Sequence, residues 1–144
     1  MIKADIIIPK SMEKTIQQLM PKPADIEDVA IEGRNLILKR TKQGNDVNGA
    51  QFADYSTAYL RHREKLGKTT YVNLEFDNKM LGSMSVKRIT GGAEIYFSDA
   101  ERRKIAFYHN YGTGVPERKF FAISDREAKD LIERLVKKLR ARSR

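Results

Sequence analysis

The sequence predicts a single α+β domain in which a small antiparallel sheet packs against N-terminal and C-terminal helices. Three observations carry that expectation. Apolar residues recur at three- and four-residue spacing over 25–40 and again over 128–139. Alternating segments flank Gly91-Gly92, a dipeptide suited to a tight hairpin turn. The chain has 144 residues with no internal repeat, low-complexity stretch or composition break, enough to bury roughly 70% of the unfolded surface as one domain spanning 1–144.

Taken in order, residues 1–23 read as an N-terminal arm or short helix. Met12, Ile16, Leu19 and Met20 mark the helical part, and Pro21 and Pro23 end it. From Asp25 a longer helix shows a stripe of Ile26, Val29, Ala30, Gly33, Ile37 and Arg40. Acidic residues sit in its first turn and Lys39, Arg40 and Lys42 near its end, as the helix dipole prefers. Gly33 in the stripe costs about 1 kcal/mol against alanine, which marks a close approach by another element. Residues 44–49, Gly-Asn-Asp-Val-Asn-Gly, are a loop by composition.

Phe52, Tyr55, Ala58 and Tyr59 then suggest a short aromatic helix leading into Arg61-His62-Arg63. Residues 72–76 alternate strictly and read as a strand; Met84, Val86 and Ile89 make a second, and 93–97 a third. Ser98 to Asn110 reads as a helix. Ser124 and Glu127 match a capping box, after which Ala128, Leu131, Ile132, Leu135 and Leu139 form one apolar face.

The net charge of +9 is concentrated toward the end: residues 101–144 hold 13 Lys/Arg against 6 Asp/Glu. Lys137, Lys138, Arg140, Arg142 and Arg144 form the densest part. They are a candidate DNA-facing tail, or a solvated helix end that complements the macrodipole. There is no cysteine, so disulfides and thiolate metal sites are excluded and a reducing compartment is expected. No apolar run approaches the roughly 20 residues of a membrane span, and the short opening run, interrupted by Asp5, does not read as a signal peptide. The expectation is a soluble intracellular chain without membrane contact.

Chemistry is sparsely represented. Asp46-Val47-Asn48-Gly49 echoes a calcium loop, but the twelfth position is Thr57 where a bidentate Glu is needed. His62 and His109 are the only histidines and have no ligand partner nearby in sequence. The serines lack a Gly-x-Ser-x-Gly elbow, and no phosphate-cradling glycine loop is present. Nothing in the spacing gathers the carboxylates a metal-dependent nuclease needs. The expectation is therefore a non-enzyme with no cofactor and no metal.

The segment 106–121 is the most informative. Aromatic residues lead into Gly112-Thr113-Gly114-Val115-Pro116, and Arg118-Lys119 precedes Phe120-Phe121. Phe107, Tyr108, Phe120 and Phe121 either fill the domain's own core or anchor contacts with other proteins. Gly44-Asn45-Asp46-Val47-Asn48-Gly49, followed by Phe52, Tyr55-Ser56, Tyr59 and Arg61, resembles the Gly-x-Asp-x-x-Gly-x-x-Phe-x-x-Tyr-Ser pattern of phage virion-morphogenesis proteins. That group comprises tail-completion and head–tail joining proteins, including minor tail and neck families. The resemblance continues through Val72-Asn73-Leu74, 80–84, Ala106, His109-Asn110, Gly112, Pro116, Arg118 and Phe120-Phe121, and spans roughly Leu36 to Leu139.

The resemblance implies a structural virion protein, assembled in the host cytoplasm as a ring, often hexameric, where tail meets head. Its partners would be copies of itself, other neck or tail proteins and, non-specifically, passing DNA. Phe52, Tyr55, Tyr59, His109, Asn110, Gly112, Pro116, Arg118, Phe120 and Phe121 are the motif positions and candidate interface residues. A small basic nucleic-acid-binding protein, contacting its ligand through the C-terminal helix, is the alternative; a hydrolase in an unfamiliar fold is a weaker third.

Overall fold

A computed structural model describes residues 2–75 and 78–142. It contains α1 (Lys10–Leu19), α2 (Pro23–Lys42), α3 (Thr57–Lys65), α4 (Lys79–Gly82), β1 (Met84–Ile89), β2 (Gly92–Phe97), α5 (Ala100–Tyr111) and α6 (Asp125–Arg142). The fold is α+β: helices flank a two-stranded antiparallel hairpin. Its register pairs Met84 with Phe97 and Ile89 with Gly92.

The hairpin lies on α2, and α6 lies against α1 and the same long helix. Two apolar clusters result. The first joins Ile37, Leu81, Phe97, Phe120 and Phe121; the second joins Ile16, Val29, Leu131, Ile132 and Leu135. Ile123 packs against both. The arm before α1 has no regular secondary structure and packs Ile2 and Ala4 on the first cluster and Ile6 on the second. Gly33 is where these parts meet. A Cβ there would lie 3.2 Å from Ile6 Cδ1, 3.4 Å from Ile95 Cδ1 and 3.7 Å from Ile123 Cδ1.

Helix ends follow their local chemistry. Asp99 caps α5 by accepting from the amides of Glu101 and Arg102. At α6 the predicted capping box is formed: Glu127 N–H donates to Ser124 Oγ at 3.1 Å, and Ser124 N–H donates to Glu127 Oε1 at 3.0 Å.

Two sequence expectations need correction. Residues 72–75 form no strand, and Phe76, the last residue of that expected strand, lies outside the described residues. Leu74 adopts φ +57°, which turns the chain out of the extended path. Its N–H donates to the Tyr55 hydroxyl at 3.1 Å, and the Glu75 N–H donates to Asn73 Oδ1 at 3.1 Å. Side chains thus take the hydrogen bonds a neighbouring strand would have supplied. Val72, Asn73 and Leu74 are all buried, so the alternation did not separate a wet face from a dry one. The hairpin turn is also shifted. Only Gly91 has positive φ (+78°), whereas Gly92 is already the first residue of β2.

Candidate functional site

Helix α5 stops at Gly112, whose φ of +71° is left-handed and whose added Cβ would meet Glu117 N at 3.0 Å. Glycine is needed there on both counts. The loop then folds back, so that the Arg118 N–H donates to the His109 carbonyl at 2.6 Å. From this position the Arg118 side chain crosses to the segment before α3. Its Nε donates to the Ala53 carbonyl and its Nη2 to the Asp54 carbonyl, each at 2.9 Å, while Nη1 donates to His109 Nδ1 at 3.1 Å.

These contacts enclose a cleft of about 680 Å³ whose walls include Tyr55, Tyr59, Met80, Ile105, His109 and Pro116. Arg118 and Leu74 also line it. Two guanidinium groups lie over the Tyr55 ring, Arg63 at 4.9 Å and Arg118 at 5.2 Å from its centroid. Burial raises the Tyr55 hydroxyl above its usual pKa. Tyr59 meets Tyr55 edge to face at 4.9 Å.

His109 is pushed down to a pKa of about 4, first by burial and then by the Arg118 charge. Because arginine only donates, Nδ1 must accept and the neutral ring carries its proton on Nε2. The one basic lone pair is therefore already used. The cleft offers aromatic faces, apolar walls and cationic N–H groups, with Asp54 also in its lining. Among the described residues no group of three or more His, Asp or Glu is placed to hold a metal ion. No described helix is long and apolar enough to cross a membrane.

The sequence-predicted positions divide into two sets. Tyr55, Tyr59, His109, Pro116 and Arg118 converge on the cleft, and Gly112 sets the loop that closes it. Phe52, Phe120 and Phe121 are instead buried in the domain's own core. As candidate interface anchors they are corrected to packing residues, with the Phe97 ring 4.8 Å from Phe121 and 6.3 Å from Phe120. Asn110 is also buried. Its Oδ1 accepts from the Phe121 N–H at 2.9 Å, acting as a substitute backbone partner. The exposed aromatics among the described residues are Tyr71 and, on α5, Tyr108 and Tyr111.

The basic tail is partly committed within the fold. Arg142 grips buried Asp25 through two bonds of 2.9 and 2.7 Å, and Lys138 Nζ donates to Asp28 at 2.8 Å. The Arg142 hydrogen bonds, followed by the Lys22 amide, lower Asp25 to a pKa of about 2. Lys137 and Arg140 are exposed beside the α1–α6 groove. Arg144 lies outside the described residues.

Sequence reasoning missed three buried groups that organise the loops. Arg40 is bound to Glu127 at 3.0 Å and to the carbonyls of Phe120 and Ala122. Arg63 donates to the carbonyls of Thr69 and Glu75 and to Asn73 Oδ1. Asp25 joins the start of α2 to the end of α6. Arg40 fell within the apolar stripe of its helix, a signal that it points inward; Arg63 and Asp25 gave no such signal. Comparison with protein-family profiles, curated proteins and solved structures finds no match to this chain.

Proposed function

We propose that this chain is a non-enzymatic structural protein of a phage virion, acting in tail completion or head–tail joining and assembling with copies of itself as a ring. The observation that supports this reading is the cleft. Motif positions from two segments remote in sequence, Tyr55 and Tyr59 on one side and His109, Pro116 and Arg118 on the other, come together at one surface. A recognition surface made of aromatic rings and held cations suits protein–protein contact. A ring needs two different faces on each subunit, so that a head-to-tail contact closes by rotation.

Mass measurement in solution tests the reading, alone and with neck or tail partners of the same virion. A closed oligomer of defined number is the expected result. A chain that remains monomeric with those partners and binds DNA tightly and salt-sensitively would favour a basic nucleic-acid-binding protein instead. Plasmid cleavage dependent on Mg²⁺ would overturn both.

A further inference from the structure

Two features of the molecule have bonding capacity left unused inside the subunit. The first is the cation at the base of the cleft. Arg118 is only 3% exposed, and its three acceptors are two backbone carbonyls and a neutral histidine. A guanidinium has five N–H donors, so two have no acceptor among the described residues. No described carboxylate forms an ion pair with it, and Asp54 acts only at longer range. A buried charge without a close counter-charge is costly and favours an arriving anion. Around it Tyr55, Tyr59, Leu74, Met80 and Ile105 share the lining with Asp54 and Arg102, so two cations face one acid and the fitting anion is a carboxylate carried beside aliphatic side chains.

The second feature is the outer face of the N-terminal arm. Asp5 is exposed and has no ion-pair partner among the described residues, and Ile7 is 64% exposed beside Ile8. The inner face of the same arm is engaged elsewhere: Ile2 lies with Tyr96 and Phe107, and Ile6 against the α2 glycine. The arm therefore cannot occupy its own subunit's cleft while docked. Its outer face presents the Asp5 carboxylate beside exposed Ile7, with Lys3 on the same side.

We infer that the cleft of one subunit receives the outer face of the N-terminal arm of a second copy, with Asp5 directed to Arg118 and Ile7–Ile8 against the apolar walls. This rests on the ring reading above and names its contact. The donor and acceptor patches are different surfaces, so the interface is heterologous, and repeating it around a rotation axis closes a ring. Charge sets its direction and register, and apolar burial holds it.

The absence of cysteine makes the test direct. Full-length Ile7→Cys and Ile105→Cys proteins, mixed in equal amounts and treated with a short bis-maleimide, should give hetero-dimers well above either protein alone. The doubly substituted chain should give a ladder of covalent oligomers. Adding Asp5→Lys, an exposed substitution whose circular dichroism spectrum should match the parent's, should reduce the cross-link yield about ten-fold, as for loss of a close interfacial charge pair. A ring seen by mass with no selective 7–105 cross-link overturns this inference and leaves the ring reading standing. No association at all in mass or cross-linking, with or without neck and tail partners, overturns both. Protection of the Ile105→Cys thiol by an oligothymidine, without the cross-link, would assign the cleft to phosphate and also overturn it.

Discussion

Phe120 and His109 show how much individual side chains decide here. Phe120 is fully buried among Phe97, Phe121 and the hairpin. Its replacement by alanine leaves a cavity, with an expected loss of about 3–5 kcal/mol in denaturant unfolding. His109 gives a pH signature. Its folded-state pKa of about 4 lies below the ordinary 6.5, so the unfolded chain takes up the proton first. The associated stability is complete above about pH 6.5 and is lost as pH falls toward 4. Partial exposure reduces the effect to about 2 kcal/mol. Denaturant titrations across that window should show the slope in the parent and a flatter one in His109→Gln. Asp25 acts in a lower window: its folded value of about 2 lies below the usual 3.8, so its contribution disappears as pH drops between them.

At the scale of elements, the end of α6 is a clasp as much as a charged tail. Leu135 and Leu139 bury its inner face, while Arg142 and Lys138 reach the first turns of α2. Truncating Arg142 to alanine leaves the Asp25 carboxylate buried with its main partner gone, and should lower the midpoint of thermal unfolding. Thermal unfolding checks this, and Asp25→Asn in the same background should recover part of the loss. A tail that were only a solvated cation would give no change. The N-terminal arm, the interrupted segment at 72–75 and the returning loop at 112–119 share another property. Each is held by side-chain hydrogen bonds or apolar contacts rather than by a ladder, which is why three arginines sit deep inside so basic a chain.

For the whole molecule, part of the +9 charge is structural. Arg40, Arg63 and Arg118 are buried, and Lys138 and Arg142 are paired with acids. The surface available to a polyanion is smaller than the sequence total suggests. Non-specific DNA affinity should accordingly be weak, and its slope against log salt should fall by about 1 when Lys137→Ala removes a phosphate contact. Fluorescence anisotropy with duplex DNA at several salt concentrations measures this. An unchanged slope would remove Lys137 from any DNA-facing surface.

The amino-acid order alone determined the α+β class, the hairpin, the long second helix, the capping box at Ser124 and the apolar face of α6. These are local matters: side-chain periodicity and short-range hydrogen bonding need no knowledge of distant contacts. The sequence also marked Tyr55, Tyr59, His109, Pro116 and Arg118, without indicating that they share a cleft. Tertiary structure decided that Val72–Glu75 leaves the extended path, because Tyr55 and Arg63 supply its hydrogen bonds from elsewhere. It likewise placed Phe120 and Phe121 inside and tied Arg142 to Asp25. Burial and charge pairing depend on which remote segments meet, and that is settled only when the helices close over the hairpin.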